Sequence, residues 1–138
     1  MAYRIYLVDD DRFLLNLYAS KFTKAGHDVT TFGSAEELLA SLRKAASEAQ
    51  PSPDAVMVDL IMPGIDGFSA IETIHKEGLA KGARIIILSN EGQDAEIEKA
   101  RTLGVDGYIT KASAIPSEVL SETARIIGSS PNALPPTP

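Results

Sequence analysis

The chain has 138 residues, 44% hydrophobic and 23% charged, with a net charge of -6 at neutral pH. That length suits one domain around one core, and the acidic balance argues against the clustered Lys and Arg of a nucleic-acid footprint. There is no cysteine, which excludes disulfide frameworks and thiolate metal sites; the apolar runs fall far short of the ~20 residues of a membrane span, and the N-terminus lacks the apolar stretch of a signal peptide.

Arg4 to Val8 is a short apolar run that stops at Asp9-Asp10-Asp11 and reads as a buried strand. Helix 1 follows from Arg12, with Leu14, Leu15, Tyr18, Phe22 and Ala25 along one face and Gly26 as its stop. Asp11 reads as its N-cap. Asp28 to Phe32 is a more polar strand, as an edge strand would be. Ser34 opens helix 2 with a capping-box pattern to Glu37, and Leu38, Leu39, Leu42 and Ala46 continue an apolar stripe until Gln50-Pro51-Ser52-Pro53 breaks it. Ala55 to Val58 is a third strand running into Asp59, followed by a turn-rich loop from Leu60 to Gly67.

Helix 3 runs from about Phe68 to Gly78, with Asp66 as a cap. Strand 4, Arg84 to Leu88, runs into Ser89. Helix 4, about Gln93 to Leu103, has only Ile97, Ala100 and Leu103 as apolar anchors and is expected to be loosely held. Strand 5, Gly107 to Thr110, runs into Lys111. Helix 5 starts near Pro116, with Val119, Leu120, Thr123 and Ile127 on one face, and stops at Gly128. Residues 1–128 therefore read as one domain. The Pro-rich segment 129–138 reads as a flexible tail or the start of a linker. Strands alternating with helices imply α/β architecture, a parallel sheet with helices on both faces.

In such a sheet all strands end at one edge, where open α/β folds bind ligands. Asp9, Asp10, Asp59, Ser89 and Lys111 should therefore converge. Carboxylates placed together repel unless a cation intervenes. With no His or Cys nearby in sequence, the expected ion is Mg2+, or Mn2+ in its place, bound through oxygen. Asp59 then becomes a candidate nucleophile toward phosphorus. Phosphoryl oxygens would be held by the metal, by the Lys111 ammonium, and by the Ser89 hydroxyl with a nearby backbone N–H. A general acid or base two residues after Asp59 would be needed for rapid turnover, and that position is Ile61. The set therefore fits a phosphoacceptor with self-catalysed transfer rather than a turnover enzyme. Tyr108 taken alone reads as core or surface packing, and His27 and His75 carry no assigned role.

The sequence resembles a response-regulator receiver domain of two-component signalling, of the chemotaxis-regulator type. Val8-Asp9-Asp10, Met57-Val58-Asp59, Met62-Pro63-Gly64, Asp66-Gly67, Leu88-Ser89 and Gly107 to Lys111 carry the match, over residues about 3 to 128. The resemblance implies a flavodoxin-like, doubly wound five-stranded sheet of order 2-1-3-4-5. Asp59 would be the phosphoacceptor and a metal contact, with Asp10 and the Ile61 backbone carbonyl as direct metal ligands and Asp9 acting through a metal-bound water. Ser89 and Lys111 would hold the phosphoryl group, and Ser89 and Tyr108 would form the switch that alters the face of helix 4, strand 5 and helix 5. The implied donor is a phosphohistidine on a sensor histidine kinase or phosphotransfer protein in the cytoplasm, with an output protein or domain as the further partner. No membrane and no direct nucleic-acid contact is implied, and the family pattern admits a homodimer formed on phosphorylation through helices 4 and 5.

Two departures stand out. Ala112 occupies the place where the family has proline, often after a cis peptide, and a non-proline cis bond costs roughly 2.5–4 kcal/mol. Ile61 is apolar where some relatives carry a polar side chain that places the attacking water, so slow loss of the phosphoryl group is expected, with Glu91 as an opposing influence. Two rival readings share these residues. One is a degenerate receiver that binds partners without phosphorylation, and the other is a Mg2+-dependent phosphatase with an Asp nucleophile, which would need an acid at position 61.

Overall fold

The computed structural model describes residues 2–60, 62, 64–89, 94–111 and 115–128. Ten elements alternate along it: β1 (Arg4–Val8), α1 (Arg12–Lys24), β2 (Asp28–Phe32), α2 (Ala35–Ser47), β3 (Ala55–Asp59), α3 (Gly67–Glu77), β4 (Arg84–Ser89), α4 (Asp94–Thr102), β5 (Gly107–Thr110) and α5 (Pro116–Ile127). The five strands form one sheet in the order β2-β1-β3-β4-β5, and every pairing is parallel. This is the flavodoxin-like arrangement expected from the resemblance.

Side chains alternate across the strands and so build a core on each face. Tyr6, Val8, Val56, Val58, Ile85 and Ile87 point to the face covered by α2 and α3, where Leu38, Leu42, Ile71 and Ile74 meet them. Ile5, Leu7, Ala55, Met57, Ile86 and Leu88 point to the face covered by α1 and α5, against Leu15, Tyr18, Phe22, Val119 and Ile126. Burial on both faces explains why β3 is buried throughout, whereas β2, at the edge, is mostly exposed.

Local signals set the helix starts. Asp11 accepts hydrogen bonds from the Phe13 and Leu14 N–H groups at 3.0 and 3.2 Å. Ser34 accepts from Glu37 N–H at 3.2 Å, and Asp66 from Ser69 N–H at 2.8 Å. Each cap satisfies N–H groups that a helix start leaves open. At its other end α3 stops on Gly78 in the left-handed region, φ 66.

Several positions differ from the periodic reading. Helix 3 begins at Gly67 rather than Phe68, and Asp59 and Ser89 are the last residues of their strands rather than the first beyond them. Ala25 is exposed because it is the C-cap of α1, and Ala46 is exposed in the last turn of α2. In α5 it is Ile126 that is buried and Ile127 that is half-buried. Ile126 packs so tightly over Gly107 that a Cβ there would overlap it. Along α4 only Ala100 is fully buried, in keeping with the thin stripe expected for it. The expected helix start at Gln93 and the tail 129–138 lie outside the described residues.

Candidate functional site

The C-terminal ends of β1, β3, β4 and β5 deliver the polar residues. Register sets them side by side: Val8 pairs with Val58, Asp59 with Leu88, and Ser89 with Thr110. Asp9 and Asp10 follow β1 directly, Asp59 closes β3, Ser89 closes β4, and Lys111 follows β5. Asp9, Asp59 and Ser89 are buried, while Asp10 is exposed at the rim.

The three carboxylates each place an oxygen within 4.8 Å of the other two. Asp9 is held at both oxygens. Its Oδ1 accepts the Asp11 N–H at 2.9 Å, and its Oδ2 accepts from Lys111 Nζ at 2.8 Å. The same ammonium lies 3.4 Å from Asp59 Oδ1, and the side chains of Lys111 and Asp59 are each 7% exposed. Burial alone would lower the Lys111 pKa, but the hydrogen bond to Asp9 and the charges of Asp59 and Asp9 outweigh it and hold the pKa above its usual 10.5. Tyr18, buried on α1, feels the charges of this pair. Its hydroxyl pKa is raised by burial, and the nearby Lys111 charge partly offsets the rise.

Among the described residues Lys111 brings one positive charge to this cluster of three carboxylates, in contact with Asp9 and Asp59. The donors are all carboxylate oxygens, which suits a hard divalent cation of the Mg2+ kind rather than zinc. Among the described residues, Asp9, Asp10 and Asp59 form a group that could hold it. The expected Ile61 carbonyl ligand lies outside the described residues, as do Glu91 and the Lys111-Ala112 peptide.

The loop after β3 folds back tightly. Gly67 N–H donates to Leu60 O at 3.0 Å, and a Cβ on Gly67 would overlap the Asp59 carbonyl oxygen and come within 2.8 Å of Leu60 Cα. Only glycine lets α3 start this close to the strand end that carries Asp59.

On the other flank, the half-buried Tyr108 donates its hydroxyl to Glu96 Oε1 at 2.9 Å. The Ser89 hydroxyl lies 3.5 Å from the same oxygen. Burial, reinforced by Glu96, pushes the Tyr108 pKa up to about 12, with the hydrogen bond to Ser89 pulling the other way. Glu96 is the residue that sequence reasoning missed. Asp94, Glu96 and Glu98 all lie on α4 with no local signal to say which faces β5. His27 packs against the start of β1: its Nδ1 accepts the Tyr3 N–H at 3.1 Å, its ring stacks on Tyr3, and burial lowers its pKa.

The family model for the response regulator receiver domain matches residues 5–122. The chain belongs to this family. It is thus a receiver domain of two-component signalling, and its relatives agree. The receiver is 34% identical over 117 residues to the chemotaxis protein CheY of Halobacterium salinarum, covering 85% of this chain and 91% of that protein. It is 31% identical over 109 residues to CheY of Treponema pallidum, covering 79% and 72%. The match to the DNA-binding dual master transcriptional regulator RpaA of Synechocystis, 27% identical over 123 residues, takes in 89% of this chain but 47% of that protein. The receiver fold superposes on the chemotaxis response regulator CheY4 of Vibrio cholerae with a TM-score of 0.79, at 22% identity over 91% of this chain and 99% of that one. Among the described residues, no helix is long and apolar enough to cross a membrane.

Proposed function

We propose that this receiver is a phosphorylation-dependent switch in which Asp59 accepts a phosphoryl group from a phosphohistidine on a sensor histidine kinase or phosphotransfer protein. The observation that carries the reading is the buried Lys111 ammonium, 2.8 Å from Asp9 and 3.4 Å from Asp59, at the shared edge of the sheet. Mg2+, or Mn2+ in its place, would be held by Asp10, Asp59 and the Ile61 carbonyl, with Asp9 acting through water, and when bound it supplies positive charge to a phosphoryl oxygen.

In the transfer, an Asp59 carboxylate oxygen forms the new bond to phosphorus. The P–N bond of the donor breaks, and its electron pair stays on the imidazole nitrogen. Lys111 turns from Asp59 to one phosphoryl oxygen, where an ammonium stabilises the charge that the loose transition state spreads over these oxygens. The Ser89 hydroxyl donates to another. The phosphorylated residue carries about −1.5 to −2 charges, and the response is a shift of the α4-β5-α5 face toward an arrangement that an output partner distinguishes. The scarcity of buried side chains on α4 suits it to move.

Intact-protein mass spectrometry with Mg2+ and acetyl phosphate tests this. The wild type should gain the mass of one phosphoryl group, and Asp59→Asn should gain none. Uptake by Asp59→Asn at the wild-type level would refute the reading.

A further inference from the structure

One oxygen of Glu96 ties α4 to both residues flanking the Asp59 pocket. It accepts the Tyr108 hydroxyl from β5 at 2.9 Å and lies 3.5 Å from the Ser89 hydroxyl at the end of β4. Along α4 itself Ala100 is the buried residue, and Lys99 Nζ sits 4.6 Å over the Phe68 ring of α3. We infer that Glu96 is a positioning residue that holds Ser89, Tyr108 and α4 in the unphosphorylated arrangement and must be displaced for the phosphoryl group to be gripped. The inference rests on Asp59 as the acceptor and adds a competitor for its ligand.

A serine hydroxyl has one proton to donate, and that of Ser89 lies between Glu96 and Tyr108, so Ser89 must turn away from both to serve a phosphoryl oxygen. A phosphoryl group also brings further negative charge beside a carboxylate that shares its Ser89 contact, and like charges in a partly buried site repel. Glu96 has somewhere to go. It borders a hollow of about 290 Å3 together with Leu60, Met62, Asp66 and Phe68. Once it swings out, the Tyr108 hydroxyl loses its acceptor on α4, and this tie between β5 and the helix is broken. The charge of Glu96, rather than its size, opposes phosphorylation.

The probe is beryllofluoride with Mg2+, a stable mimic of the acyl phosphate, titrated calorimetrically into the full chain. Glu96→Gln keeps an amide oxygen for Tyr108 but removes the charge. It should bind beryllofluoride about tenfold more tightly, equivalent to about 1.4 kcal/mol, while its affinity for Mg2+ alone stays unchanged. With 3-fluorotyrosine incorporated, the Tyr108 resonance, assigned through Tyr108→Phe, should already move in ligand-free Glu96→Ala, which removes the acceptor, toward its position in the beryllofluoride-bound wild type. A role confined to stability would leave both readouts where they are. If Glu96→Gln binds beryllofluoride no more tightly than wild type while Asp59→Asn abolishes binding, the inference fails and Asp59 stands as the acceptor. If Mg2+ alone also binds more tightly, the effect is general electrostatics and the positioning role fails. If Asp59→Asn still binds beryllofluoride, the acceptor reading itself fails.

Discussion

Replacing Lys111 by Met removes the cation from between two buried carboxylates while keeping a long apolar stem. At an effective dielectric constant of about 20, contacts of 2.8 and 3.4 Å correspond to gross attractions of about 6 and about 5 kcal/mol. Against these stand the several kcal/mol needed to desolvate the ammonium and about 2 kcal/mol of lysine rotamer entropy. The net is about 3 kcal/mol, in line with breaking a buried pair from one side. For a domain of this size that is a fall in melting temperature of about 10 °C, read by circular dichroism in metal-free buffer. Mg2+ should recover more of the loss in Lys111→Met than it adds to wild type, because a ligand that binds only the folded state stabilises it by mass action. The pH dependence has a definite sign. The Lys111 pKa is raised above 10.5 in the fold, so its contribution is complete below pH 10.5 and disappears as pH rises through the folded value. Lys111→Met should lack that alkaline loss. A melting temperature within about 2 °C of wild type, with no Mg2+ rescue, would refute the assignment of Lys111 as the counter-charge of the cluster.

Gly67→Ala pushes a methyl group into the Asp59 carbonyl and toward Leu60 Cα. It should cost about 1–3 kcal/mol in denaturant unfolding and weaken Mg2+ binding by moving the end of β3. Asp66→Ala removes only the acceptor for Ser69 N–H. It should cost about 1 kcal/mol, with phosphoryl uptake from acetyl phosphate unchanged, and a loss of uptake would mean that Asp66 belongs to the site rather than to the helix cap.

The features legible in the sequence were those encoded by near neighbours or by unbroken apolar runs. Asp11, Ser34 and Asp66 act on N–H groups two or three residues away, so their capping roles can be read locally. The runs ending at Asp9, Asp59, Ser89 and Lys111 are contiguous, and parallel pairing alone brings their ends together. The Lys111–Asp9 contact itself joins residues 102 apart and depends on strand register. Glu96 was not legible because α4 is acidic on several sides and the facing side is chosen by tertiary packing. In α5 both Ile126 and Ile127 fit the period, and the space left by Gly107 decides between them. Gly67 could be read as a turn residue, but the reason for it, the backbone of β3 beneath it, could not.

The central claim is that the phosphoryl group is carried by Asp59. Borohydride reduction of the phosphorylated protein converts an acyl-phosphate aspartate to homoserine, and peptide mass mapping then locates it. The account predicts homoserine at position 59 in the wild type, dependent on Mg2+ during phosphorylation. Homoserine at Asp9 or Asp10, or phosphate that survives at a serine or threonine, would contradict it.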